Sequence, residues 1–261
     1  MRNTGRLLLP IGTTNYKKIC DNYYYVDKTL MIKDILDEGT EISLFTRPRR
    51  FGKTLNMDML RTFFEKQEED TSRYFTDKKI WQQGEAYTKH QGKYPVIYLS
   101  LKDANKFTWS DLYARLIETI RDEFFRHSEL NDSPKISNPE FYKKIIAGQA
   151  TEAEYSISIL RLSRMLREHY GQSVILIIDE YDTPIQAGYI NGFYNEAIQF
   201  IRDLFSSALK DNDNLAFGFL TGILRVAKES IFSGLNNIYV YSVLDDKFSD
   251  YFGFTDMEVK Q

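Results

Sequence analysis

The sequence predicts an α/β fold built on a mainly parallel sheet, and three observations carry that expectation. Short apolar or β-branched runs recur at 42–46, 96–101, 174–178, 215–221 and 238–243, with helix-period stretches between them, as strands joined by helical crossovers require. The run Val174-Ile-Leu-Ile-Ile178 has no in-and-out alternation, the mark of a central strand covered on both faces. A basic stretch containing one glycine, Thr46-Arg-Pro-Arg-Arg-Phe-Gly-Lys-Thr54, joins the first strand to a periodic helix, the chain order of a strand, a phosphate-binding loop and a helix.

Each element has its own signal. Leu55, Met59, Leu60 and Phe63 recur at helical spacing after the basic loop. Beyond the second strand, Thr108 and Asp111 form a capping pair. Leu112, Leu116, Ile120 and Phe124 then fall every four residues, predicting one amphipathic helix over 109–127. Asn138 and Pro139 supply an N-cap and a first-turn proline for a helix over 139–147, and Thr151 with Glu154 opens another that closes near Gly171. Ile198, Ile201, Phe205 and Leu209 make an apolar stripe between Phe193 and Lys210, ended by the polar cluster Asp211 to Asn214. The most polar connection, 127–139, is expected at the surface. With no repeat and no Gly/Ser/Pro-rich linker, one domain is expected to cover most of the chain. Thr255 to Glu258 spell a last capping box with three residues after it. A lone helical turn is unstable, so the expectation is a chain cut within a further helical region, with a fraying end as the alternative.

Composition narrows the class. Lys+Arg 34 against Asp+Glu 37 leaves a net charge of −3, which argues against a whole-surface nucleic-acid binder but leaves a local basic site open. Hydrophobic residues at 43% and charged residues at 27% of 261 belong to a folded chain rather than a disordered one. The single Cys20 can close no internal disulfide and no cysteine zinc site, and His90, His127 and His169 are scattered, so a reducing cytoplasm fits and no metal cluster is expected. The longest aliphatic run, 174–178, is far short of the ~20 residues of a membrane span. Pro10 and Gly12 interrupt Leu7 to Leu9 before they could form a signal-peptide core. Aromatic residues at 15% are read first as core and groove lining, with base stacking as the alternative.

The loop carries the first chemistry. Gly52 lets the backbone approach phosphates, Lys53 reaches the β and γ phosphates, and Thr54 places its hydroxyl on Mg²⁺. The general pattern has a glycine five residues before Gly52, where this chain has Arg47, and arginine takes positive φ only at a cost. Arg47, Arg49 and Arg50 either add charge-assisted contacts to phosphate or are simply solvated. A basic turn between strand and helix is the plainer alternative for the whole loop. The second signal is Asp179-Glu180 at the C-terminal end of the 174–178 strand, the sheet edge where ligands of open α/β sheets bind. Asp179 would hold Mg²⁺ through its water shell, and Glu180 would orient and deprotonate the attacking water; a solvated acidic turn is the alternative. The third is Thr221-Gly222 with Arg225. If its strand lies between the other two, Thr221 could bond the γ phosphate or attacking water and Arg225 could offset developing charge, against an N-cap and a surface ion pair.

Three segments together, Tyr24-Tyr-Val-Asp-Lys-Thr29, Phe45-Thr-Arg-Pro-Arg-Arg-Phe-Gly-Lys-Thr-Leu55 and Ile178-Asp-Glu-Tyr-Asp-Thr-Pro184, resemble the hallmark segments of the bacterial AAA-ATPase-like domain family, over nearly the whole chain. In that family an arginine at the position of Arg47 is usual. The resemblance implies a three-layer P-loop NTPase of strand order 5-1-4-3-2. ATP and Mg²⁺ are implied as ligands, with Leu55 at the end of the phosphate-binding segment and Tyr25, Asp27 and Lys28 near the base or the loop. Read from the residues alone, 24–29 is an aromatic strand or turn. Relatives often continue into a helical segment and a PD-(D/E)XK nuclease-like domain. The expected organisation is 1–40 as an N-terminal segment with a base-binding part, 41–250 as the P-loop core, and 251–261 as the start of a C-terminal helical region. Glu258-Val-Lys260 mimics part of a nuclease site, but no acid-tipped strand precedes it, so it reads as a helix start.

The functional expectation is an Mg²⁺-dependent ATPase that drives a conformational change in a larger, nucleic-acid-associated bacterial assembly. A non-catalytic nucleotide switch and a P-loop phosphotransferase are the alternatives, with a homo-oligomer and a nucleic acid engaged through a missing C-terminal domain as expected partners, and no membrane. No guanine-reading NKxD motif occurs, which makes ATP the default.

Overall fold

The structure, a computed structural model, describes residues 8–223, 231–232 and 237–260. Arg225 lies outside the described residues. Among the described residues there are five strands: β1 (Ile42–Thr46), β2 (Val96–Ser100), β3 (Val174–Asp179), β4 (Leu215–Gly222) and β5 (Ile238–Tyr241). They form one sheet in the order β2-β3-β4-β1-β5, which is 5-1-4-3-2 read from the other edge, and all four pairings are parallel.

The chain divides into two compact units. One comprises Thr40–Thr46 and Tyr94–Ser242 and holds the whole sheet. Its central strands are buried end to end, β1 and β3 at every position. Val174, Leu176 and Ile178 point to one face, into the main apolar cluster. Ile175 and Ile177, on the opposite face, are equally buried, as the unbroken apolar run requires. The helix Trp109–Arg126 begins at Thr108, whose hydroxyl accepts from the Asp111 amide, and buries Leu112, Leu116, Ile120 and Phe124. The helix Tyr194–Leu209 buries Ile198, Ile201, Phe205 and Leu209. The helix expected from Thr151 to Gly171 is in fact two, Glu152–Ser156 and Ser158–Tyr170, broken at Ile157 (φ −108°, ψ 4°). Thr151 and Glu154 make the expected reciprocal capping box at its start.

The outer edge of β2 is covered by side chains. Glu123 accepts from the Tyr98 amide at 2.7 Å, while Val96 O accepts from Arg126 and from His127 Nε2. Exposed backbone at a sheet edge invites pairing with another strand, and this ionic cluster closes part of it. His127, Leu130 and Ile136 are buried, so the polar 127–139 connection is anchored at three points rather than wholly exposed.

The other unit comprises Met1–Gly39, Arg47–Lys93 and Val243–Gln261. It is helical, with Tyr16–Asn22, Leu30–Glu38 and Lys53–Phe64 as its main elements. Its core is aromatic. Tyr16 stacks on Phe75 at 5.2 Å, and Phe63 meets Phe75 edge-on at 5.0 Å. Much of the aromatic content is therefore packing, worth about 0.5–1.5 kcal/mol per pair beyond area burial.

Candidate functional site

β1 ends at the buried Thr46, and the basic loop follows at once. Two residues of the loop are left-handed, Arg50 at φ 68° and Gly52 at φ 77°. Arg47 is not among the residues of positive φ, so the turn that arginine would resist falls three residues later than the general pattern places it. Gly52 is the N-cap of the helix Lys53–Phe64, and its carbonyl accepts the Asn56 amide at 2.9 Å. The Lys53 ammonium folds back over the loop, donating to Arg47 O and Pro48 O at 3.0 Å each. That anchors a buried cation inside a ring of backbone, where burial without such bonds would be costly. Thr54 and Leu55, in the first turn, are half-buried, and Arg49 and Arg50 are exposed.

Arg47 is different: it is 3% exposed, and its guanidinium carbon lies 4.9 Å from the centre of the Phe252 ring. Burial lowers its pKa from the ordinary value and the Asp245 carboxylate raises it in part. Tyr25 and Asp27 are tied into the frame around this helix. The Tyr25 hydroxyl donates to Met59 Sδ at 3.4 Å and accepts from the Lys28 amide at 3.2 Å. Asp27 accepts from Thr29 N and from Lys79 N, each at 2.8 Å.

In the sheet unit, β4 lies between β3 and β1, and their C-terminal ends are aligned. Thr46 pairs with Gly222, and Phe45 with Thr221. Across the other side of β4, the Thr221 hydroxyl donates to Asp179 Oδ1 at 2.5 Å and accepts from the Glu180 amide at 3.2 Å. Asp179 and Thr221 are fully buried. Thr221 is thus a strand residue whose hydroxyl binds the Asp179 carboxylate and the Glu180 backbone amide; the N-cap alternative does not describe it. Glu180 sits at φ 57°, a conformation that costs a non-glycine residue on the order of 1–3 kcal/mol and that clusters at functional sites. Its carboxylate is 3.4 Å from the Thr183 hydroxyl.

Three neighbours brace this turn, and the sequence alone assigns none of them that role. Asp182 is buried and accepts from Ile223 N at 3.0 Å and Gln186 Nε2 at 2.6 Å, while Tyr181 N donates to Thr221 O at 2.9 Å. Gly222 lies so close that a Cβ there would come within 2.4 Å of Tyr181 Cε1 and 2.9 Å of Asp182 Oδ1. The segment Ile178 to Pro184 contains Tyr181 and Asp182, but nothing in its spacing marks them as the braces of the acidic turn.

Among the described residues no three His, Cys, Asp or Glu side chains gather as a metal cluster. Mg²⁺ needs none, since it keeps waters and takes one or two protein oxygens plus phosphate. In the sheet unit the Asp179 carboxylate is a donor of that hard type, and in the helical unit the Thr54 hydroxyl is another. No helix among the described residues is long and apolar enough to cross a membrane.

A family model described as "Predicted AAA-ATPase" matches residues 10–232. A protein of Azotobacter chroococcum mcd 1, described as an uncharacterized protein in the vnfD 5' region, is 30% identical over 259 residues, covering 98% of this chain and 44% of that protein. The chain therefore spans less than half the length of that relative. No solved structure matches it.

Proposed function

The chain belongs to the predicted AAA-ATPase family, and from that premise we propose that it binds and hydrolyses ATP with Mg²⁺, coupling nucleotide state to conformational change in a larger, nucleic-acid-associated bacterial protein. The observation that carries the reading is the loop after β1. A left-handed Gly52 caps a helix whose first residue, Lys53, holds its ammonium over the loop carbonyls, which supports binding of phosphate at a helix N-terminus.

The roles follow from chemistry. Gly52, Lys53 and Thr54, with Leu55 continuing the helix, receive the phosphates, and the exposed Arg49 and Arg50 add charge-assisted contacts. Thr54 and Asp179 would each offer an oxygen to Mg²⁺, which would supply neutralisation of the phosphate charge. Glu180 orients and deprotonates the attacking water. Thr221 acts on the reaction through Asp179 and the Glu180 backbone, which makes it a positioning residue, and Arg225 offsets developing charge. Tyr25 and Asp27 shape the frame beneath the nucleotide. The length of the Azotobacter relative beyond the shared part supports placing the chain within a larger protein, with oligomerisation and nucleic-acid contact as further proposals.

The test is turnover of ATP by the chain and by Glu180→Gln. The proposal predicts a loss on the order of 10²-fold or more, as for removal of a general base; equal turnover refutes the role. The Arg47–Phe252 contact favours one second reading, a nucleotide-binding switch without hydrolysis. Bound ATP that persists unhydrolysed under single-turnover conditions would select it.

A further inference from the structure

We propose that residues 250–258 form a clasp on the basic loop that couples nucleotide binding there to the C-terminal segment, an inference that rests on reading the loop as a nucleotide site. The contacts bracket the loop from its first residue to the helix behind it. Arg47, standing where the general pattern has glycine, lays its guanidinium over Phe252. The carbonyl of Phe51, immediately before Gly52, accepts the Gly253 amide at 3.0 Å. Asn56, in the first turn of the helix, donates its side-chain amide to Tyr251 O at 2.8 Å across 195 residues of sequence. The Tyr251 hydroxyl bonds Asp34.

A buried lysine secures the far end. Lys28 is 7% exposed, and its ammonium reaches both Glu258 oxygens at 2.7 Å and Asp250 O at 2.5 Å. Lys28 belongs to the Tyr24–Thr29 segment that the sequence singled out, and its structural partner is this clasp. Glu258 also caps its own short helix by accepting from Thr255 N at 2.8 Å. Breaking the Lys28–Glu258 pair would therefore free both the lysine and the helix start.

The consequence is thermodynamic. Loop amides bind phosphate only in a concave arrangement, and a brace on Arg47, Phe51 O and Asn56 favours whichever loop form it fits. A brace that favours the receptive form strengthens nucleotide binding, and the nucleotide must tighten the brace by the same factor. The arginine at position 47 is then explained by the clasp: glycine there would have no group to place over Phe252.

The experiment uses the 261-residue chain, its Phe252→Ala variant and the milder Glu258→Gln. Hydrogen exchange is followed at the amides of residues 49–54 and at Gly253, with and without ATP and Mg²⁺, alongside calorimetric ATP titration. In nucleotide-free Phe252→Ala the loop amides exchange about tenfold faster, and ATP binds about tenfold more weakly, a typical coupling factor. In the unmodified chain ATP slows exchange at Gly253 by a similar factor. Glu258→Gln moves each quantity in the same direction by less. Unchanged loop exchange in both variants overturns the clasp, whatever ATP does. ATP binding without any change at Gly253 overturns the coupling and leaves the nucleotide site standing. A chain that binds no ATP, while Phe252→Ala still loosens the loop, overturns the nucleotide reading and with it the coupling to nucleotide.

Discussion

Replacing Thr221 with valine removes a hydroxyl from the centre of the acidic turn while keeping the shape of the side chain. That hydroxyl donates to the buried Asp179 at 2.5 Å and accepts from the Glu180 amide at 3.2 Å. A hydrogen bond to a charged group contributes roughly 1.5–3 kcal/mol, and one between neutral groups about 1, so Thr221→Val should cost about 2.5–4 kcal/mol. Thr221→Ser keeps both bonds and loses one buried methyl, about 1 kcal/mol. Urea denaturation of the two variants, compared at equal m, measures the difference. The reasoning requires valine to be the worse substitution by about 1.5 kcal/mol or more. Serine as damaging as valine would mean that packing, not the hydroxyl, is what Thr221 provides, and the account of the two fixed acids would fail.

Other substitutions test other parts. Gly222→Ala drives a Cβ to within 2.4 Å of the Tyr181 ring and should destabilise by roughly 1–3 kcal/mol, read as a lower Tm. Gly52→Ala meets nothing within 4 Å, so its cost should be only the left-handed backbone, about 1–2 kcal/mol; a much larger loss would show that the space around Gly52 is not open. The β2-edge cluster predicts a pH window. Burial raises the Glu123 carboxyl, but the Arg126 charge and bonds with Arg126 and His127 outweigh it and hold it at about 2, and His127 likewise outweighs burial to hold Glu129 at about 2. Burial lowers His127, yet its bonds to Glu123 and Glu129 leave it raised above 6.5. Carboxylate stabilisation is therefore present above 4.5 and lost as pH falls toward 2, while that from His127 is full below 6.5 and lost as pH rises through its higher folded value. Stability from this cluster should peak between those two pH values, and Glu123→Gln should flatten the profile in a denaturation series.

Much of this was legible because apolar runs are local. The five strands, the 109–126 helix and its Thr108 cap follow from period and capping chemistry, which neighbours a few residues apart decide. The break at Ile157 was not, since the apolar pattern of 158–170 continues the one opened by Thr151 and no glycine or proline marks a stop. Lys53, Thr54, Asp179 and Glu180 stand out as candidates because strand ends and loops of set composition announce them. The left-handed Arg50 and Glu180 could not, for only glycine advertises positive φ in a sequence. Least legible were Phe252, Gly253 and Glu258, whose partners lie some 200 residues away, as with Phe51, Gly253 and the 230-residue span from Lys28 to Glu258. The same non-locality explains why a chain that reads as one domain divides into units of interleaved segments.

Everything proposed for the site depends on the loop from Arg47 to Thr54 receiving a nucleotide. Calorimetric titration of ATP with Mg²⁺ into the chain, with Lys53→Ala beside it, tests that directly. One ATP per chain should bind saturably, and Lys53→Ala should abolish that binding. Equal binding by both proteins, or none by either up to millimolar ATP, would contradict it.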